Sequence, residues 1–278
     1  MNLKFVVNEY VLIWYLLFQQ SISDELNDCK QKIWNNLKRE YTLFQKEKHV
    51  ILEDPKNYIP NDDTIYDMVK DFQDYNNILK ETEKLKNSVV KVWDSYKKKI
   101  DQNIFKILKF DIPNYNVLLV NPRLNVIDIS SDKENKIHTI VYGKKINSDN
   151  IQTLLEIIYM IVRKEFKNFN KENMEIVEAV LELAILHELG TRITGKSCYL
   201  FSNSKNSLLK RQIYPYFLMY LGIDRDDLVS YMRRDGIVFD ASCYTNEIQL
   251  RKINIKEFMT FCINNKKIIL RLDKIGVK

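Results

Sequence analysis

Glycine, proline and histidine are scarce in this chain of 278 residues. Six glycines and five prolines are too few for the many tight turns of an all-β fold, and they favour helices joined by short connections. Neither a GxGxxG dinucleotide-binding sequence nor a GxSxG nucleophile elbow is present, which leaves no sequence support for those two classes of enzyme. Only three histidines occur.

Cysteine is also sparse, and its spacing matters more than its number. The four cysteines are far apart in the chain, and no two of them form a CxxC pair: Cys29, Cys198, Cys243 and Cys262. This spacing is typical neither of a disulfide framework nor of a zinc knuckle. We expect reduced thiols and a cytoplasmic protein.

Long hydrophobic runs are missing as well. The most apolar run near the N-terminus, Val11 to Phe18, has the sequence VLIWYLLF and is much shorter than the roughly 18 residues that a membrane span requires. Glu9 precedes it, Gln19 follows it, and no small-residue cleavage pattern comes after it. The sequence therefore predicts a buried first helix, with no membrane span.

The positive charge is concentrated in the C-terminal part. Residues 196–278 contain 15 Lys and Arg against 8 Asp and Glu, which gives them a net charge of 15 − 8 = +7. Since the whole chain has a net charge of +6, residues 1–195 carry 6 − 7 = −1. Such an excess favours an anionic partner such as nucleic acid, although a solvated lysine-rich face gives the same pattern. Both interpretations stay open at this stage.

Apolar residues recur at helical spacing along most of the chain. The pattern predicts helices over residues 24–48, 64–72, 75–108, 149–169, 208–221 and 255–264. Short segments rich in Val, Ile, Leu and Tyr, separated by turn residues, predict three strands of a small antiparallel sheet between residues 115 and 143. We therefore expect an α+β fold that is mainly helical, in which long helices flank this sheet.

The domain organisation is predicted as one compact unit over residues 1–278. An alternative is a division into three lobes, with a helical lobe at 1–112, the sheet and core helices at 113–195, and a basic helical part at 196–278. No segment is rich enough in Pro, Gly or Ser to mark a boundary between them.

The most apolar helical segment, Glu175 to Gly195, contains a histidine next to a glutamate. At 100° per residue, Glu175, Glu178 and Glu182 form one acidic stripe, whereas His187 and Glu188 fall about 120° and 220° from Glu175, among apolar residues. We expect these two side chains to be at least partly buried and to need partners. Arg192, four residues after Glu188, is the expected partner of that carboxylate.

The residues from His187 to Gly195, HELGTRITG, resemble the zinc-binding helix of zincin metallopeptidases, in particular the gluzincin form. In that family two histidines four residues apart bind zinc, and the glutamate between them activates the metal-bound water. The resemblance implies His187 as a zinc ligand, Glu188 as the catalytic base and a zincin-like fold. It covers about nine residues.

This segment departs from the zincin pattern at two ligand positions. Thr191 stands in place of the second histidine, and Lys210 stands at the position of the third ligand. Since catalytic zinc usually has three protein ligands, His49 or His138 would have to contribute. The alternative is a core helix in which His187 and Glu188 are satisfied by hydrogen bonds, with no cofactor bound.

A second candidate site lies in residues 205–220, KNSLLKRQIYPYFLMY. Basic residues alternate there with aromatic residues, a pattern that suits phosphate contacts and base stacking, although the same residues are typical of a buried helix. The candidate side chains of this segment are Lys210, Arg211, Tyr214 and Tyr216. On the central helix we add Glu182 and Arg192 as structural or binding residues.

Three functions follow as expectations. The first is a non-catalytic binding or regulatory protein of the cytoplasm, built on a metal-free, degenerate zincin-like scaffold. The second is a metal-dependent, peptidase-like hydrolase centred on His187 and Glu188, which would need zinc. The third is a nucleic-acid-binding protein that acts through the basic residues of 196–278.

Overall fold

The structure, a computed structural model, is described here for residues 1–60, 62–129, 138–144, 149–196, 206–224, 227–228, 230 and 250–269. In these ranges the fold is α+β and mainly helical, as the sequence predicted. The helices are α1 (Glu9–Phe18), α2 (Asp24–Asn36), α3 (Lys38–Lys46), α4 (Lys48–Glu53), α5 (Thr64–Lys70), α6 (Tyr75–Leu108), α7 (Asn150–Glu165), α8 (Met174–Leu181), α9 (Gly190–Thr194), α10 (Ser207–Tyr220), α11 (Ile255–Asn264) and α12 (Lys266–Ile269). The strands are β1 (Leu3–Val6), β2 (Tyr115–Leu119), β3 (Val126–Asp128) and β4 (Thr139–Gly143).

The sheet has four strands in the order β1-β2-β4-β3, and it is mixed. β1 and β4 both run parallel to β2, and β3 runs antiparallel to β4. The three strands predicted between residues 115 and 143 are all present, and β1 adds a fourth from outside that range. The predicted antiparallel direction holds for β3 and β4 but is wrong for β2, which runs parallel to both of its neighbours. After β2, a short 3-10 turn at Pro122–Leu124 and the left-handed Asn125 (φ 50°) redirect the chain, so that β3 pairs with β4 and not with β2.

β1 was not predicted from the sequence. It has only four residues, and its assignment depends on pairing with a strand more than a hundred residues away, where Leu3 is opposite Tyr115 and Val6 is opposite Leu118. Pairing at that sequence distance leaves no local signal, because the strand is defined by hydrogen bonds to its neighbour.

The chain divides into two compact units. Unit 1 consists of Met1–Asp94 and Pro113–Leu154, and unit 2 consists of Ser95–Ile112 and Leu155–Lys278. These units do not coincide with lobes at 1–112, 113–195 and 196–278, because each unit takes part of its residues from α6 and α7. The sheet belongs to unit 1, and the central helix belongs to unit 2.

The core of unit 1 forms around α1. Residues 11–17 are all buried, and the indole Nε1 of Trp14 donates to the carbonyl oxygen of Phe44 at 3.2 Å. The predicted buried first helix is thus present. Among the described residues, no helix combines the length and the apolar character that crossing a membrane requires.

The predicted helix over residues 24–48 is broken into α2, α3 and α4. Leu37 leaves the helical region (φ −133°, ψ 42°), and a second break follows at Glu47, which joins α3 to α4. Ile33, Phe44 and Ile51 all enter the same apolar cluster. The breaks turn each short helix so that its own apolar residues reach that cluster, which one straight helix of that length does not allow.

Gly143 at the end of β4 provides a test of how tightly the sheet is packed. A Cβ atom at this position would lie 2.4 Å from Cγ2 of Val120 and 3.0 Å from the carbonyl oxygen of Asn121. We predict that Gly143→Ala lowers the free energy of unfolding by about 1–3 kcal/mol, the usual cost of overpacking. Urea denaturation, with the midpoint shifted and the slope unchanged, measures this effect.

The matched control is Gly195→Ala. A Cβ atom added at Gly195 would have no other atom within 4 Å, but the backbone φ there is +73°. This substitution should therefore lower the free energy of unfolding only by the cost of placing alanine in the left-handed conformation, about 1 kcal/mol. If Gly143→Ala costs no more than this control, the close contact with Val120 is not a real constraint.

Candidate functional site

The motif helix of unit 2 is continuous from Met174 to Thr194, but its middle is not an α-helix. α8 passes at Glu182 into a π-helical segment, Glu182–Leu189, and α9 completes the helix. The backbone N–H of Gly190 donates to the carbonyl of Ile185, five residues earlier. Segments of π-helix are rare and are frequent at functional sites, and this one contains both residues of the motif, His187 and Glu188.

The π-helical segment changes which side chains share a face. Glu182 and His187 are five residues apart, which corresponds to about 140° around an α-helix. In a π-helix, whose hydrogen bonds join residues five apart, such a pair lies on nearly the same side. Both side chains accordingly meet α10, although the α-helical spacing of the sequence placed them on different faces.

Lys210 of α10 is the partner of Glu182. Its side chain is 1% exposed, and its Nζ lies 2.8 Å from Oε2 of Glu182. The contact is an ion pair and not an aligned hydrogen bond, while Nδ2 of Asn206 donates to Oε1 of the same carboxylate at 3.1 Å. Burying two charges requires that they face each other, because each one alone costs several kcal/mol.

Tyr214, one helical turn after Lys210 on the same face of α10, is the partner of His187. Nε2 of the imidazole lies 3.3 Å from the tyrosine hydroxyl, and the two rings meet edge to face with centroids 5.4 Å apart. His187 is 1% exposed. The predicted burial of the histidine is therefore present, and its ring nitrogen lies against a hydroxyl group.

Glu188 is bound by Arg192, as the sequence predicted. Nε of Arg192 donates to Oε1 of Glu188 at 2.6 Å, and the carboxylate side chain is 15% exposed. Thr191, which stands at the second histidine position of the zincin pattern, has a buried Oγ1 without a hydrogen-bond partner among the described residues. The motif glutamate is thus engaged within its own helix.

The acidic stripe of the central helix is not a solvated face. Glu175 is exposed, but Glu178 and Glu182 are buried, and Oε1 of Glu178 accepts from the guanidinium of Arg163 on α7, at 3.0 Å from Nε. One turn earlier on α7, burial first and then the charges of Glu182 and Glu178 raise the pKa of Tyr159. Both acids therefore belong to a buried polar network.

The partners of that network were missed by sequence reasoning. They are Tyr159, Arg163 and Asn206. The four-residue spacing of Tyr159 and Arg163 along α7 was a usable signal, since it places one cation and one hydroxyl on one face of an otherwise apolar helix. No comparable signal marked Asn206, which precedes α10.

The described residues near His187 do not fit a zinc site. Among the described residues, no group of three or more His, Cys, Asp or Glu side chains is placed to hold a metal ion. His187 lies against Tyr214, and the ligand positions of the zincin pattern are taken by Thr191 and by Lys210, whose ammonium group faces a carboxylate. His49 and His138 belong to unit 1.

The second candidate site is largely part of the core. Lys210, Tyr214 and Tyr216 are buried, and only Arg211 of the four proposed side chains of α10 is exposed. The alternation of basic and aromatic residues belongs to a helix that is mostly buried within unit 2. The rings of Tyr214 and Tyr216 are therefore not exposed for stacking against a ligand.

Residues 190–197, GTRITGKS, match the spacing of the phosphate-binding GxxxxGK[ST] pattern, a match that the search for phosphate-binding sequences overlooked. That pattern binds phosphate as a loop between a strand and a following helix. Here the first five residues form α9, and the N–H of Gly195 donates to the carbonyl of Thr191 at 2.8 Å. The segment ends a helix, so its described part lacks the loop geometry; Ser197 lies outside the described residues.

The buried ion pair between Lys210 and Glu182 can be tested by substitution. We predict that Lys210→Met lowers the free energy of unfolding by about 3–5 kcal/mol, because it leaves a buried carboxylate without its cation. Adding Glu182→Gln should restore part of this loss, since the remaining amide carries no charge. Urea denaturation of the two single variants and the double variant measures the coupling.

Lys267→Met is the matched control, because Lys267 is exposed and its substitution should change stability by no more than about 0.5 kcal/mol. Additive effects of Lys210→Met and Glu182→Gln would contradict the pairing seen in the structure.

Comparison of the chain with protein-family models, with curated proteins and with solved structures found no match in any of the three. The likeness of residues 187–195 to the zincin helix therefore stays a prediction from sequence. What can be said of the function comes from the contacts of the central helix itself.

Proposed function

We propose that this protein is a non-catalytic binding or regulatory protein, in which a helix resembling that of a zincin serves as a structural element without a metal ion. One observation carries the proposal: both chemically active side chains of the motif are engaged inside unit 2, His187 by Tyr214 and Glu188 by Arg192. A catalytic base has to reach the proton it removes, and this carboxylate instead accepts a charge-assisted hydrogen bond.

The surrounding polar residues support the same function. Buried ion pairs add little net stability compared with apolar residues of the same size, but they penalise alternative packings strongly. With Glu182 bound by Lys210 and Glu178 by Arg163, the central helix has one orientation relative to α7 and α10. A rigid core of this kind suits a scaffold that presents its surface to a partner.

A cytoplasmic location is part of the proposal. Cys29 and Cys262 are both buried and both free, and burial raises the pKa of each thiol, so both are unreactive. Cys198 and Cys243 lie outside the described residues. Buried cysteines without disulfides are typical of a reducing compartment.

The two other functions remain as outcomes of tests. A hydrolase would need zinc and a free Glu188. A nucleic-acid-binding protein would have to use exposed lysines such as Lys252, Lys256 and Lys266, because the aromatic residues Tyr214 and Tyr216 are buried and so are withdrawn from base stacking.

The metal content of the protein tests the proposal. We predict that protein purified without chelating resins contains less than one equivalent of zinc, and that dialysis against zinc followed by gel filtration does not raise it, because the described residues form no group of three ligands that could hold the metal ion. Elemental analysis by mass spectrometry measures the ratio. The variants Glu188→Gln and His187→Gln should leave this value unchanged.

The opposite result would be decisive. One equivalent of zinc in the wild-type protein that disappears in His187→Gln, together with peptide hydrolysis that disappears in Glu188→Gln, would establish the hydrolase in place of our proposal. Arg211→Gln, on the exposed side of α10, serves as the control, because it shows how much zinc and peptide hydrolysis are lost through handling or partial unfolding alone.

A further inference from the structure

A small pocket of unit 1 lies between α3 and the start of α5. Its volume is about 90 Å³, roughly three times the share of one water molecule in the liquid and less than the roughly 150 Å³ of an engineered cavity that binds benzene. A pocket of this size suits one aliphatic side chain. The described residues that line it are Glu40, Leu43, Phe44, Glu47, Pro60, Asp62, Ile65 and Tyr66.

The floor of the pocket is apolar, and apolar surface continues outside it. Phe44, Ile65 and Tyr66 belong to the core of unit 1, and the rings of Tyr66 and Phe44 meet edge to face with centroids 4.8 Å apart. By contrast, Leu43 is 51% exposed, and Ile59, in the segment that leads to α5, is 83% exposed. A partner with one side chain in the pocket can therefore also contact aliphatic residues beside it.

Helical spacing brings two acidic residues of this region to the same face as the apolar ones. Glu40, Leu43 and Glu47 are three and four residues apart, so they lie on one face of α3 and its end. At 100° per residue, Arg39 and Lys46 of the same helix fall about 100° from the centre of that face. No described residue of the lining is basic, so the lining is negatively charged.

The carboxylates at the rim are not neutralised by the residues that contact them. Glu40 is half-buried, and within the described part of the chain it has no ion pair or hydrogen bond. Hydrogen bonds from the hydroxyl group and the backbone N–H of Thr64 lower the pKa of Asp62. Glu47 accepts from the hydroxyl group of Tyr58, which is a neutral donor.

We propose that this pocket is a docking site for a partner protein, from which it binds a segment with one aliphatic residue flanked by lysine or arginine. The aliphatic side chain fills the pocket, and the flanking cations lie against Glu40 and Glu47. These two acids are seven residues apart, about 10 Å along a helix, a distance that three residues of an extended segment span. The inference rests on the proposed function, since it names the partner of a binding protein.

A protein segment fits this surface better than a small amine does. An aliphatic anchor in a pocket, surrounded by a polar rim, is the usual arrangement at protein–protein contacts. The exposed Leu43 and Ile59 offer apolar area to the residues on either side of the anchor. A contact of this small size is weak, and the charges at its rim make the binding depend on salt.

Fluorescence anisotropy of the full chain with labelled peptides tests the site. The probe is GSKLSKSG, in which two lysines three residues apart flank a leucine. The peptide GSKSSKSG lacks the leucine, and GSELSESG reverses the charges. We expect saturable binding of the probe that weakens with added salt, binding of the second peptide that is weaker by about tenfold or more because the aliphatic anchor is lost, and no binding of the third.

Variants of the protein locate the peptide. Glu40→Gln should weaken binding of GSKLSKSG by about two- to fivefold, the usual effect of losing an exposed ion pair. Leu43→Ser should weaken it by about fivefold or more, because the leucine loses its apolar contact with the peptide. Circular dichroism should show both variants folded like the wild-type protein, since Leu43 is exposed and Glu40 is unpaired within the described residues.

Two matched control variants make the result specific. Glu25→Gln removes an exposed carboxylate of α2 that does not line the pocket, and Leu208→Ser removes a leucine of α10 that is 58% exposed. Both should bind GSKLSKSG like the wild-type protein. Weakening in Glu25→Gln equal to that in Glu40→Gln would mean non-specific attraction and would overturn the proposal.

Three results with the probes would also overturn the proposal. The first is the absence of saturable binding of GSKLSKSG at millimolar concentration. The second is equal affinity for GSKLSKSG and GSKSSKSG, which would mean that the pocket does not hold the aliphatic side chain. The third is self-association of the chain, measured by sedimentation equilibrium, that Leu43→Ser abolishes, because a second copy would then be the occupant.

Failure of the docking site is distinguishable from failure of the proposed function. A zinc-free protein that does not bind the peptide loses only the docking site. Zinc that is bound through His187, together with peptide hydrolysis, overturns the proposed function whether or not GSKLSKSG binds.

Discussion

The ion pair between Lys210 and Glu182 is the constraint on which the arrangement of unit 2 depends. Both side chains are almost entirely buried, and neither can remain charged in the core without the other. This requirement sets the position of α10 against the central helix. Tyr214 lies one turn after Lys210 on the same face of α10, so the helix that holds this ion pair also brings a hydroxyl group to His187.

The chemistry of the motif follows from that packing. A histidine and a glutamate in sequence suggest a metal-dependent site, but their chemical role is decided by what contacts them. Here a hydroxyl group faces the imidazole and a guanidinium binds the carboxylate. The π-helical segment, which in other proteins often shapes a reactive site, brings Glu182 and His187 to one side of the helix and thereby completes a buried polar network.

Unit 1 is organised differently. Its four-stranded sheet joins the beginning of the chain to residues more than a hundred positions later, and α1 packs against the helices that follow it. The same pairing of β1 with β2 places Lys4 opposite Asn116. In both units the notable polar groups are assembled by contacts between distant segments.

The sequence by itself determined the features that depend on neighbouring residues. Helical spacing of apolar residues gave α6 with its observed ends, and the four-residue spacing gave the pair of Glu188 with Arg192. Only the tertiary structure decided the parallel pairing of β1 with β2, the breaks at Leu37 and Glu47, and the burial of Lys210. Local propensity is encoded over one or two helical turns, whereas a strand partner or the cation for a buried acid is chosen by packing between segments far apart in the chain.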